Sequence, residues 1–202
     1  MISFVYFDVG GVCILDFSGT NKWKDMQRDL GVTVANQALF ETVWKRTRDH
    51  ICIDRDVDSL LPMFTTEIGL EFPQKYSMLD DFVNRFESNP SIWLVIEKIR
   101  KVSRIGLLTN MYPRLFDAIQ KRGILPPISW DVVIDSSVVK YQKPDKHIFE
   151  IAERQAKTSK ESILFVENNV EHIRAAQNFG WQTFLYDPVH PKESSQKLSL
   201  LF

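Results

Sequence analysis

Residues 1–15 read Met1-Ile2-Ser3-Phe4-Val5-Tyr6-Phe7-Asp8-Val9-Gly10-Gly11-Val12-Cys13-Ile14-Leu15. The apolar, β-branched and aromatic run predicts a buried strand. It stops at one carboxylate, Asp8, followed by Gly10 and Gly11. A buried strand that delivers an acid at its C-terminal end sets that acid where open α/β sheets hold their ligands. Two glycines just beyond it let the backbone approach a bound anion or metal with no Cβ in the way.

The rest of the chain divides by texture. From Asp16 to Ser88 apolar residues recur at helical spacing: Trp23, Met26 and Leu30 before Gly31; then Leu39, Phe40, Val43 and Trp44. Leu60, Leu61, Phe64 and Ile68 follow before Gly69, and then Leu79, Phe82, Val83 and Phe86. Four short helices without strands predict a helical subdomain, 16–88, with the aromatic residues as its own core. From Asn89-Pro90 onward strands and helices alternate. Strands are expected at Arg104 to Thr109, Trp130 to Asp135, Ser162 to Val166 and Gln182 to Tyr186. Helices are expected from Asn89, at Arg114 to Arg122, at Asp145 to Ala156 and at Asn169 to Phe179. That alternation means βαβ units and a mostly parallel sheet. The expected architecture is α/β: a Rossmann-like parallel sheet of residues 1–15 and 89–202 flanked by helices, with a four-helix subdomain inserted at 16–88. The polar, proline-containing tail from Asp187 to Gln196 reads as a loop or a lightly docked segment.

Bulk composition narrows the function classes. The chain has 202 residues, a net charge of −1, 44% hydrophobic and 25% charged residues. That is ordinary globular composition and gives no argument for nucleic acid or an anionic membrane as partner. No run has the length of a membrane span, and the N-terminus lacks a basic flank and a small-residue cleavage site. A cytoplasmic location is the expectation; oligomeric state is not readable. Cys13 and Cys52 share no metal or redox spacing and read as structural thiols.

Three later strand ends also carry polar residues: Thr109-Asn110, the loop Lys143-Pro144-Asp145, and Glu167-Asn168-Asn169. Taken in order with Phe7-Asp8-Val9-Gly10-Gly11-Val12, these resemble the four motifs of the haloacid dehalogenase-like hydrolases. The first reads Asp-x-Asp-x-Thr/Val, the second Thr or Ser, the third Lys, and the fourth an acidic pair. An insert directly after the first motif resembles that family's helical cap. The likeness spans nearly the whole chain.

The resemblance implies roles. Asp8 would be the nucleophile that forms an aspartyl-phosphate. Thr109 would donate to a phosphoryl oxygen, with Asn110 and the Gly11 backbone beside it, and Lys143 would offset the charge between Asp8 and phosphate. A Mg²⁺ cofactor would be held by Asp8, the Gly10 carbonyl, Glu167 and Asn168. The implied activity is Mg²⁺-dependent hydrolysis of a small phosphorylated metabolite, the cap choosing the substrate.

Two departures from the pattern matter. The family's general acid stands two residues after the nucleophile, and here that residue is Gly10. Glu167-Asn168 replaces the usual Asp-Asp, leaving two carboxylates of the usual four. Two other readings follow: a fold kept as a binding or regulatory module after loss of activity, and a metal-independent 2-haloacid dehalogenase. Asp54-x-Asp56-x-Asp58 lacks the glycine and the final glutamate of a calcium loop and reads as helix capping. His147 and His172 read as helix surface, as do Arg46 and Arg48.

Overall fold

β1, Phe4–Phe7, is buried at every residue, as a run without polar alternation requires of a strand covered on both faces. The computed structural model describes residues 1–202, the side chain of Asp49 excepted. β1 is the central strand of a sheet ordered β5-β4-β1-β6-β7. β4 is Arg104–Thr109, β5 Val132–Asp135, β6 Ile163–Glu167 and β7 Gln182–Leu185. Each pairing is parallel. From β1 the chain runs outward through β4 to β5, then crosses to β6 and β7 on the other side. The crevice above β1 is therefore the switch point of the sheet. Phe7 lies level with Leu107 and Val166, so Asp8, Thr109 and Glu167 emerge together at one edge.

Alternate residues of β1 feed opposite faces. Val5 and Phe7 join one hydrophobic cluster with Ile105, Leu107, Leu164 and Val166. Phe4 and Tyr6 join a second with Leu108, Ile134, Ile163 and Phe165. The faces are covered by α5 (Pro90–Ile99), α6 (Leu115–Arg122), α8 (Lys146–Ala156) and α9 (Val170–Phe179), with a single turn, α7 (Ser136–Val139), following β5.

Between β1 and α5 the chain is helical, as expected: α1 (Lys22–Asp29), α2 (Gln37–Ile51), α3 (Leu61–Met63) and α4 (Met78–Arg85). Its aromatic residues pack together, though not as a separate core: they join the cluster on the Val5 and Phe7 face of the sheet. Trp23 and Trp44 have ring centroids 4.7 Å apart, Phe40 and Phe64 5.0 Å, Phe17 and Phe82 5.2 Å. The third expected helix is broken: a 3-10 turn at Val57–Leu60, the single turn of α3, and a π turn over Phe64–Ile68. Pro62, at the start of α3, cannot donate the backbone bond that would join the pieces.

Two features differ from the sequence reading. β2 (Ile14–Leu15) and β3 (Glu87–Ser88) pair as a short antiparallel ribbon at the neck of the helical insert, too brief for any periodicity to reveal. The tail expected as a loop is α10, Pro191–Ser199. Proline at its first position is a helix-start signal that outweighs the polar composition. Leu198 is fully buried, Lys98 Nζ donates to the Ser199 carbonyl at 2.7 Å, and Tyr186 Oη lies 2.8 Å from Ser195 Oγ.

Candidate active site

Three strand ends and one loop bring the expected residues together. Asp8 follows β1, Thr109 ends β4, Glu167 ends β6, and Lys143 comes in from the loop after α7. All four are buried. Lys143 Nζ lies 2.7 Å from Glu167 Oε2 and 3.1 Å from Asp8 Oδ1, and donates to the Leu108 carbonyl at 2.9 Å. The Val9 N–H donates to Asp8 Oδ1 at 2.7 Å, and the Thr109 hydroxyl also bonds this carboxylate.

Burial and then the Glu167 charge push Asp8 up, outweighing Lys143 and Thr109, to about 7. Burial also pushes Glu167 up, but Lys143 and His172 overcome it and hold Glu167 at about 2. Burial works against the Lys143 charge, and the two carboxylates restore it. One cation thus serves two acids unequally.

Glu167 is the most heavily bonded group in the site. Its Oε1 accepts from the Asn168 and Asn169 backbone N–H groups at 2.8 and 2.9 Å. Its Oε2 takes Lys143 and, at 3.1 Å, His172 Nδ1. His172, expected at the helix surface, is instead half-buried on the cleft wall. The Asn168 carboxamide is oriented by its neighbours: its nitrogen donates to Glu167 Oε1 at 2.9 Å and the Gly10 carbonyl at 3.1 Å, and its oxygen accepts from Ser18 Oγ at 3.1 Å.

This arrangement bears on Mg²⁺. Both oxygens of Glu167 are already taken, so this carboxylate anchors Lys143 and is not available as a ligand. Among the described residues no three His, Cys, Asp or Glu side chains converge on a point. Turned over, Asn168 would set its oxygen against the Gly10 carbonyl and Glu167 Oε1, acceptor against acceptor, which a cation would relieve. An ion therefore fits through Asp8, the Gly10 carbonyl and the Asn168 oxygen, with Glu167 behind them.

Asn110 and Gly11, expected beside a phosphoryl group, are also engaged within the protein. Asn110 Nδ2 donates to the Lys143 carbonyl at 2.9 Å and its Oδ1 accepts the Lys143 N–H at 2.8 Å. This reciprocal pair ties the Lys143 loop to β4, so Asn110 positions the lysine. Gly11 is buried with φ at 73° and backs onto Asn168 and Ser18; a Cβ there would lie 3.1 Å from Ser18 Cβ and closer still to the Asn168 amide. It shapes the wall behind the cleft.

The cleft has a volume of about 220 Å³. Its polar lining includes Asp8, Asp16, Thr109 and His172, and its apolar side is made by Phe17, Phe86, Met111 and Tyr112. Asp16 was invisible as a site residue in the sequence because no motif holds it. Its Oδ1 accepts the Ser18 N–H at 2.8 Å, and burial raises its carboxyl above the ordinary range against those bonds. The acids of the Asp54–Asp58 stretch lie elsewhere: Asp56 accepts the Asp58 N–H at 2.9 Å and Asp58 accepts the Leu79 N–H at 3.1 Å, the capping role expected of them.

Comparison with known proteins places the chain in a family. The sequence model of the family described as haloacid dehalogenase-like hydrolase matches residues 7–180. An (S)-2-haloacid dehalogenase of Pseudomonas sp. (strain YL) is 30% identical over 93 residues, 44% of this chain and 40% of that enzyme. The match thus spans about two fifths of the length of that curated relative. A predicted HAD-like family hydrolase from Porphyromonas gingivalis superposes with a TM-score of 0.74 at 22% identity, covering 93% of this chain and 92% of its own. A HAD family enzyme from Bacteroides thetaiotaomicron, solved in complex with magnesium and inorganic phosphate, gives a TM-score of 0.69 at 16% identity, with 92% and 94% covered. At these identities the structural likeness speaks for the fold.

Proposed function

The chain belongs to the haloacid dehalogenase-like hydrolases, and from that premise we propose that it is a phosphatase acting on a small phosphorylated metabolite through an aspartyl-phosphate at Asp8. The observation that carries this reading is the alignment of a nucleophile-capable carboxylate, Asp8, with a buried cation, Lys143, and a hydroxyl, Thr109, at one strand edge opening into a cleft.

Phosphoryl transfer asks the protein for in-line positioning and for positive charge around the equatorial oxygens. Asp8 in its ionised form attacks phosphorus. Lys143 and the Thr109 hydroxyl meet the phosphoryl oxygens, and Asn110 holds the lysine in register. Glu167 keeps Lys143 charged and aimed at Asp8. Magnesium, held by Asp8, the Gly10 carbonyl and Asn168, would supply further positive charge to the phosphoryl oxygens, in keeping with the Bacteroides relative that carries magnesium and phosphate. Water then cleaves the acyl-phosphate and regenerates Asp8.

A second reading, displacement of halide from a 2-haloacid, is favoured by the Pseudomonas relative and by the Asn168 amide, which satisfies the Gly10 carbonyl with no ion. Halide leaves without a proton and would need no acid beside the nucleophile.

The test is release of phosphate from a panel of phosphorylated metabolites and of halide from 2-haloacids, with and without Mg²⁺. Phosphate release that disappears in Asp8→Asn supports the phosphatase; halide release alone, lost in the same variant, supports the second reading. Neither product from well-folded protein would sink both and leave a binding module.

A further inference from the structure

Gly10 leaves the nucleophile without the acid that the family keeps two residues downstream, and the chain fills that space from elsewhere. A Cβ built on Gly10 would lie 3.2 Å from Asp16 Cγ and closer still to Asp16 Oδ2. The Gly10 backbone is not in the left-handed region, so its own conformation admits a side chain. Asp16 is what stands in the way. The occupant of the missing side chain's space is another aspartate.

Asp16 is held there by local structure. It directly follows β2, whose Leu15 pairs with Glu87 of β3 at the neck of the insert. The Ser18 N–H fixes Oδ1 at 2.8 Å, which turns Oδ2 toward residue 10. Asp8, Thr109 and Asp16 line one cleft. An acid on the insert's neck, lining the nucleophile's cleft, has the Ser18 hydrogen bonds and the Lys22 charge to set against its burial, and burial prevails.

We propose that Asp16 is the proton donor to the leaving group, a catalytic residue supplied by the neck of the insert in place of residue 10. The assignment rests on the phosphatase reading. In the first step the Asp8 carboxylate forms a bond to phosphorus as the bond to the ester oxygen breaks, and the Asp16 carboxyl gives its proton to that oxygen, so an alcohol departs. In the second step Asp16, now a carboxylate, takes a proton from water as the hydroxide attacks phosphorus. The Asp8–phosphoryl bond breaks, and phosphate, the Asp8 carboxylate and the Asp16 carboxyl are restored.

Two esters separate this role from a structural one. Phosphate release is measured with p-nitrophenyl phosphate, whose phenolate leaves without help, and with glycerol phosphate, whose alkoxide needs a proton. Asp16→Asn is expected to slow the alkyl ester by about 10²–10⁴-fold, the usual worth of a general acid, and the aryl ester by less than about tenfold. Gly10→Asp combined with Asp16→Ala moves the acid back to residue 10 and empties the space it needs. It is expected to restore the alkyl-to-aryl ratio to within about tenfold of the unaltered protein, and it carries the test if Asp16→Asn fails to fold. Equal losses on both esters, no loss on the alkyl ester, or a folded double variant still selective for the aryl ester would overturn the proposal. Absence of Asp8-dependent phosphate release from the unaltered protein would overturn the phosphatase reading itself, and that shows before any Asp16 variant is made.

Discussion

Lys143 gives its shorter ion pair to Glu167, at 2.7 Å, and its longer one, at 3.1 Å, to Asp8, the proposed nucleophile. Both side chains of the shorter pair are fully buried. Glu167 is therefore the permanent partner of the lysine, and Asp8 holds a share that an incoming anion can compete for. Lys143→Met removes the shared cation and leaves two buried carboxylates facing each other. Breaking a buried ion pair from one side costs about 3–5 kcal/mol. That loss is expected in urea unfolding at pH 7.5 and should shrink at pH 5, where Asp8 escapes its share by protonation. A loss that does not change with pH would argue for simple cavity formation.

The pH dependence of the site follows from the same asymmetry. Burial and the Glu167 charge hold Asp8 at about 7, well above the ordinary carboxylate. Attack needs the ionised form, so kcat/KM should fall about tenfold per unit as pH drops below that value. Glu167→Gln removes one of the two causes and should move this limb to lower pH. Stability runs the other way. A group with a raised folded pKa contributes stability below its unfolded value, and that contribution is lost as pH rises through the folded one. Asp8→Asn cannot ionise, so its melting temperature should match the unaltered protein near pH 4 and exceed it at pH 8. A lower melting temperature at pH 8 would contradict the assigned direction.

Asn168 stands where the proposed ion would bind. As oriented, its amide nitrogen bonds both Glu167 Oε1 and the Gly10 carbonyl, so the site is internally satisfied. Asn168→Asp would press a third carboxylate against these two acceptors, a like-charge contact that an ion relieves. The variant should therefore melt lower than the unaltered protein without divalent cation and rise by several degrees with Mg²⁺. The unaltered protein, which must first turn its carboxamide over, should rise less. Equal Mg²⁺ responses in the two proteins would show that the orientation of Asn168 imposes no barrier to the ion.

Much of this architecture was legible because long-range constraints leave local marks. A strand buried on both faces must be apolar throughout, as Phe4–Phe7 is, and parallel neighbours must be joined by amphipathic helices, so the sheet could be read in order. Asp8, Thr109 and Glu167 were findable because each ends or directly follows a strand, and Lys143 because it stands in the loop just before a helix. Asp16, Ser18 and His172 were not. They act on the site through the third dimension: Asp16 enters the space of Gly10 because a two-residue ribbon folds the neck back, and no spacing in the sequence encodes that. The hold of Asn110 on Lys143 was hidden for a related reason. A polar residue after a strand looks outward to a ligand until the loop it holds, here Lys143, is known.

Arg114 fastens the core to the insert under backbone strain, and the two effects can be separated by one pair of variants. It precedes α6 with φ at 72°, a left-handed conformation that an L side chain resists. Its Nη2 donates to Asp56 Oδ1 at 2.7 Å and to Asp58 Oδ2 at 2.8 Å. Those acids already cap the turn at Val57 and the start of α4, so one guanidinium clamps two capped segments at once. The guanidinium is 55% exposed, and ion pairs at such sites are worth about 0–1 kcal/mol. Arg114→Ala loses the clamp and keeps the strain. Arg114→Gly loses the same clamp and sheds the strain, which is worth about 1 kcal/mol at a left-handed position. The glycine variant should therefore be the more stable of the two in urea by about that amount, and equals the unaltered protein only if the clamp contributes no more than the strain it imposes. If alanine proves as stable as glycine, the left-handed turn is not held by the fold but by the arginine's own pairs, and α6 would then begin differently once they are gone.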